Sequence, residues 1–185
     1  MHSLLFGFFL ALALVDTIDG VLDLPSNDPP KIPVKEAPNP APLELTCPEG
    51  FFSLGNSCYA VFDNYTTDRL SWNNAQAFCG SLGAGGHLLE LEAAEEITRL
   101  KNHLLESGYV CGVYWIGGEE VGDTNTFVWA STGQVIGDSD WAPGMPNGSG
   151  SGDAIILSCS INWQWLDTPK SYDRRFICEA PPIAV

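Results

Sequence analysis

A chain of 185 residues with 45% hydrophobic side chains and six tryptophans can bury a real core, which excludes a wholly disordered protein and leaves room for one ordinary domain with extensions. Its formal charge of −15 comes with only eight Lys and Arg, scattered along the sequence. That balance argues against nucleic acid and disfavours anionic membranes as partners, because neutralising phosphates requires clustered cations.

Residues 1–20 read as a secretory signal: the apolar run from Leu4 to Val15 is too short to span a bilayer, and Gly20 closes it as a small residue. No later segment approaches membrane-spanning length. Secretion places Cys47, Cys58, Cys79, Cys111, Cys159 and Cys178 in an oxidising compartment, where bridges are favoured over metal sites, and none of their spacings resembles a zinc motif. Residues 21–46 carry Pro25, Pro29, Pro30, Pro33, Pro38, Pro40 and Pro42 and few aromatics, so they read as an extended spacer or tail. The domain is expected over 47–181.

Two β-prone runs, Cys47 to Phe52 and Cys58 to Phe62, flank the turn-forming Ser53-Leu54-Gly55-Asn56-Ser57, the pattern of a hairpin that a Cys47–Cys58 bridge would staple. Next, Trp72, Ala75 and Cys79 fall on one helical stripe with Ser71 as cap and Gly83 beyond the end. A second helix is signalled from Ala93, where Glu95 and Glu96 suit the first turn, Ile97, Leu100 and Leu104 form a stripe, and Gly108 stops it. His103 lies beside that stripe and His87 stands apart, so both read as surface or packing residues. Short strands are then expected at Tyr109 to Gly117, Thr126 to Trp129, Asp153 to Ser158, Ile161 to Leu166 and Arg175 to Glu179, with a Gly-rich loop from Ala130 to Gly152. Two helices followed by antiparallel strands make an α+β domain.

In this order the Cys47-Pro48 opening, the Trp72/Ala75/Cys79 helix, Gly86-His87-Leu88, Tyr114-Trp115-Ile116-Gly117-Gly118, Phe127 with Trp129, Trp141 to Asn147, and Phe176-Ile177-Cys178-Glu179 resemble the C-type lectin-like domain family. The resemblance covers about Cys47 to Ala180, and the chain is similar to the secreted single-domain, long-form lectins of invertebrate immunity. It implies a Cys79–Cys178 bridge tying the first helix to the last strand. It also places Ile155 and Lys170 where a family bridge is missing at both ends, and puts Cys111 and Cys159 opposite one another on paired strands, hence a relocated Cys111–Cys159 bridge. Six cysteines alone would permit about 15 connectivities.

The resemblance further implies a calcium and sugar edge at Met145, Asn147, Asp153, Leu166 and Asp167. Calcium requires about 6–8 oxygen ligands, and the thioether of Met145 and the alkyl chain of Leu166 supply none, so the expected calcium site is weakened or lost. The metal ligands carried over are Asn147, Asp153 and Asp167; with them, Trp163 and Tyr172 are the candidate exposed faces for a sugar ring, while Trp141 and Trp165 are assigned to the core. Asn64-Tyr65-Thr66 and Asn147-Gly148-Ser149 are N-glycosylation sequons, and occupancy at Asn147 would block coordination there. The resemblance implies a secreted, non-enzymatic carbohydrate-recognition protein of innate immunity that binds glycans on microbial surfaces. The alternative is a calcium-independent lectin-like domain that binds protein or acts as an adhesive or matrix component. No nucleophile elbow, metal-ligand spacing or other catalytic motif points to an enzyme.

Overall fold

The computed structural model describes residues 45–148 and 152–184; the expected signal, most of the proline-rich spacer and residues 149–151 lie outside them. The elements run β1 (Leu45–Thr46), β2 (Phe52–Leu54), β3 (Ser57–Phe62), α1 (Trp72–Ser81), β4 (His87–Leu88), α2 (Ala94–Glu106), β5 (Val113–Glu120), β6 (Phe127–Trp129), β7 (Asp153–Ser158), a 3-10 turn (Cys159–Ile161), β8 (Gln164–Pro169), β9 (Arg175–Ala180) and β10 (Ile183–Ala184). The α+β class expected from the sequence is the one observed. Neither helix is long and apolar enough to cross a membrane.

One sheet has the order β2-β3-β9-β5-β7-β8, with β4 added to β9 and β6 to β5. All its pairings are antiparallel except β5 with β9, which run parallel through Tyr114↔Arg175 and Trp115↔Phe176. Beyond it, β1 pairs with β10, joining the start of the domain to its end and placing Leu45 and Thr46, read as spacer from their prolines' neighbourhood, on a strand.

Both faces of β7 and β8 are covered, so alternation along these strands sorts side chains between two apolar layers. Ile155, Leu157, Trp163 and Trp165 enter the layer beneath α2, with Leu91, Ile97, Leu100 and Leu104; Ala154 and Ile156 join Trp72, Ala75, Trp115 and Phe176 beneath α1, and Leu166 packs against that second layer. The close approach of β4 to β5 requires glycine at one point: a Cβ at Gly117 would lie 2.8 Å from the Leu88 carbonyl.

Bridges join Cys47 to Cys58, Cys79 to Cys178 and Cys111 to Cys159, the three pairings expected. Ile155 is fully buried where the missing family bridge would stand, and the Lys170 ammonium pairs with Glu119 at 2.6 Å while lying 4.6 Å over the Trp72 ring. His103 stacks on Phe52 at 4.3 Å, a packing role as its stripe position suggested. Two strand expectations shift. Tyr109 and Val110 lie outside any strand and Cys111–Gly112 form a bend, with the Val110 carbonyl accepting the Tyr114 hydroxyl at 2.5 Å, so β5 starts at Val113. The chain after β7 coils into the 3-10 turn and then passes through left-handed Asn162 (φ 61°) and Trp163 (φ 59°), so β8 starts at Gln164.

Glu179 of β9 is buried among Tyr59, Glu90 and Glu96, and accepts the Glu90 N–H at 3.0 Å. Burial pushes its carboxyl up from 4.5 to about 7, opposed by that backbone hydrogen bond. The folded chain therefore holds this proton more tightly than the unfolded chain does between these two values. The resulting stabilisation is fully present below about pH 4.5 and is lost as pH rises through about 7. Urea unfolding at pH 5 and pH 8 is expected to differ by up to about 3 kcal/mol in favour of pH 5, and Glu179→Gln to remove most of that slope.

Candidate functional site

The end of the sheet where β5 stops, β7 starts and β8 finishes holds the long-loop residues. Glu120, the last residue of β5, is buried, and its carboxylate accepts the N–H groups of Thr124 (3.1 Å), Asn125 (2.8 Å) and Asp153 (3.5 Å). One side chain thus shapes the loop after β5 and ties it to the first residue of β7. Nothing in the motif reading singled out Glu120; the signal available was an acid closing an apolar strand just before a Gly-Asp turn.

Asn147 and Asp167 are brought together: the Asn147 N–H points between the two Asp167 carboxylate oxygens at 3.2 and 3.3 Å. The peptide joining Met145 to Pro146 is cis. Asp153 and Asp167 lie on the same face, diagonal across the β7–β8 ladder, since Asp153 opposes Pro169 and Ile155 opposes Asp167. Neither carboxylate is presented to solvent, with exposures of 1% for Asp153 and 8% for Asp167.

As a calcium site this set does not fit. Leu166 turns to the α1 layer and Met145 offers only sulfur, so three oxygen-bearing side chains remain, and Asp167 already accepts a backbone N–H. Among the described residues no group of three or more His, Cys, Asp or Glu is placed to hold a metal.

Trp163 corrects the sequence expectation. It is 4% exposed, 5.4 Å from the Tyr114 ring, and packed with Trp165 in the layer beneath α2. The left-handed backbone at Asn162 and Trp163 turns its indole inward, so it offers no face to a sugar. Tyr172 is half exposed as expected, but the Arg174 guanidinium lies 4.8 Å over its ring, and nothing joins it to Asn147. Asn64 is exposed on the loop before α1, where its side-chain oxygen accepts the Thr66 N–H and hydroxyl.

Beside the Asn147 edge is a cleft of about 290 Å³ lined by Asn125, Thr126, Phe127, Val135, Ile136, Trp141 and Pro146. Trp141, partly buried as a core assignment implied, forms its wall by packing 5.0 Å from Phe127 and 5.6 Å from Trp165. Asn125, positioned by Glu120 with φ 54°, closes it against Gly148, where a Cβ would come within 3.0 Å of the Asn125 amide nitrogen. An aromatic wall beside an amide and a hydroxyl is the composition a sugar ring uses when no metal bridges it.

The profile of the family described as "Lectin C-type domain" matches residues 68–180. Lithostathine-2 of Mus musculus is 27% identical over 137 residues, covering 74% of this chain and 76% of that protein. A C-type lectin mannose-binding isoform of Oxyuranus scutellatus is 27% identical over 135 residues, covering 72% of this chain and 82% of that protein. In solved structures, human lithostathine superposes with a TM-score of 0.64 at 25% identity, covering 77% of this chain and 99% of the other. A calcium-independent type II antifreeze protein superposes with a TM-score of 0.61 at 25% identity, covering 76% and 98% of the two chains.

Proposed function

The chain belongs to the C-type lectin domain family, a family of binding domains, and from that premise we propose that it is a secreted glycan-recognition protein whose sugar contact lies in the Trp141 cleft and needs no calcium. The observation that carries this reading is the juxtaposition just described. The inherited edge at Met145, Asn147, Asp153, Leu166 and Asp167 lacks ligands for the metal, while an aromatic and amide-lined cleft opens immediately beside it. Recognition of glycans on microbial surfaces, as an extracellular defence protein, is the biological role this chemistry fits. The similarity to a protein named as mannose-binding supports a sugar ligand, and the likeness to one titled calcium-independent supports dispensing with the metal.

Two exposed positions on the cleft rim test it. Thr126→Arg and Val135→Glu are expected to leave the melting temperature unchanged and to weaken binding to the best glycan on an array by about tenfold each, the loss of one good contact. A chelator is expected to change wild-type glycan binding less than about twofold, and calcium titration calorimetry to show no site tighter than about millimolar, the weakest range of extracellular calcium modules. Binding abolished by the chelator would return the sugar to the Asn147–Asp167 edge. A second reading, capture of a protein ligand or an adhesive role, is favoured by the same replacements at Met145 and Leu166; an array with no glycan bound, together with retained capture of a defined extracellular protein, would select it.

A further inference from the structure

At the opposite end of β5 from Asp153, three arginines gather around one opening. Arg69, Arg174 and Arg175, with Tyr65, Gly112 and Val113, line a cleft of about 310 Å³. The described residues contain six Lys and Arg, so half of them meet here in a chain whose formal charge is −15. The other three are placed elsewhere: Lys101 pairs with Asp140, Lys170 pairs with Glu119, and Arg99 covers Gly55.

None of the three cleft arginines has a carboxylate within ion-pair distance among the described residues. The nearby acids are engaged locally: Asp63 accepts the Val110 N–H at 3.2 Å, and Asp68 accepts the Asn64 N–H at 3.0 Å and the Thr67 hydroxyl at 2.7 Å. Asp173 contributes its backbone carbonyl, which accepts from Arg69 at 2.7 and 3.2 Å and from Arg174 at 3.4 Å. The Nε atoms of Arg174 and Arg175 are buried without a hydrogen-bond partner. Rings hold the forks in place. Arg69 and Arg175 lie 4.8 and 5.6 Å over Tyr65, Arg175 also lies 5.7 Å over Tyr114, and Arg174 lies over Tyr172.

Arg174 and Arg175, partly buried with their Nε atoms out of reach of water and no counter-charge, gain from a partner that completes them, and planar forks match the oxygens of a tetrahedral oxyanion. Tyr65 and Tyr172, 66% and 50% exposed, add hydroxyls at the rim that can meet the hydroxyls of a sugar. The overall negative charge repels a long polyanion but admits a single anionic group. We propose that the Arg69/Arg174/Arg175 cleft is a subsite for one oxyanion ester, a sulfate or phosphate carried by a saccharide. It rests on the glycan reading for the sugar and on the arginines alone for the anion. It lies roughly 25 Å from the Trp141 end, the length of the eight-residue β5, and is independent of calcium.

The test is calorimetry on the whole secreted protein, before and after enzymatic removal of N-glycans because Asn64 borders Tyr65, with inorganic sulfate, glucose, glucose 6-sulfate and glucose 6-phosphate. The charged sugars are expected to bind at least tenfold tighter than glucose, to weaken with added sodium chloride, and to ignore chelator. The better of the two identifies the ester. Arg69→Gln and Arg174→Gln are each expected to cost about tenfold for inorganic sulfate; Gly112→Ala, whose new methyl would sit 2.1 Å from an Arg175 terminal nitrogen, should do likewise without changing charge. Variants that keep the wild-type melting temperature and bind sulfate as the wild type does overturn the proposal, as does equal binding of glucose and both esters. Sulfate binding that survives while the array shows no glycan sinks the proposed function and leaves this subsite standing.

Discussion

Replacing Cys79 and Cys178 together by alanine is expected to cost about 4–5 kcal/mol and to leave little folded protein at 37 °C. The two residues are separated by 99 positions, so reduction releases nearly the whole domain from its cross-link, and in the chain-entropy account a loop of that size is the most strongly constrained of the three. Both sulfurs are fully buried between α1 and β9, within the layer that holds Trp72, Trp115 and Phe176. The corresponding double replacement of Cys47 and Cys58, separated by 11 positions at the first hairpin, is expected to cost about 3 kcal/mol. Guanidinium unfolding of each variant under non-reducing conditions measures the order. Equal losses would mean that the closing bridge does not hold the helix to the sheet as described.

Trp163→Ala is expected to destabilise by about 3–5 kcal/mol, the range for removing a large buried aromatic. As an exposed sugar platform the same residue would cost binding and almost no stability, so the two descriptions separate cleanly by thermal unfolding beside a glycan array. The indole fills the layer beneath α2 with Leu91, Leu100, Leu104 and Trp165, and its loss would leave α2 over a void. Glycan binding at the Trp141 cleft is expected to survive in whatever fraction stays folded. Gln164, the next residue, is only partly buried and accepts substitution far more easily.

These residues also show how alternation carries information that a local reading can pass over. Trp165 was assignable to the core from its motif, and a regular strand from Ile161 to Leu166 would put Trp163 on the same face, two residues away. The expected strand, Ile161 to Leu166, contained the signal for a buried Trp163. What hid it was the 3-10 turn with two successive left-handed residues, Asn162 and Trp163, a geometry with no glycine to announce it. Leu166 obeys the same alternation in reverse: it packs against the α1 layer, so its departure from the family pattern is filled by apolar packing.

The sequence by itself determined the α+β class and both helices with their buried stripes, while its resemblance to the C-type lectin-like family supplied the three cysteine pairs and the replacements at Met145 and Leu166. These follow from periodicities and ordered motifs that each reside in a short stretch of chain. Tertiary structure alone decided the sites. Glu120 meets Thr124, Asn125 and Asp153 only because β5 ends where β7 begins, and the Trp141 cleft joins residues 125–127, 135–136, 141 and 146 from β6 and the two loops that flank it. Arg69, Arg174 and Arg175 belong to cations that look scattered along the chain. They converge because Leu70 pairs with Arg174 and the parallel contact of β9 with β5 sets Arg175 beside Tyr114. Proximity between residues about a hundred positions apart is created by sheet pairing, and no local pattern encodes it.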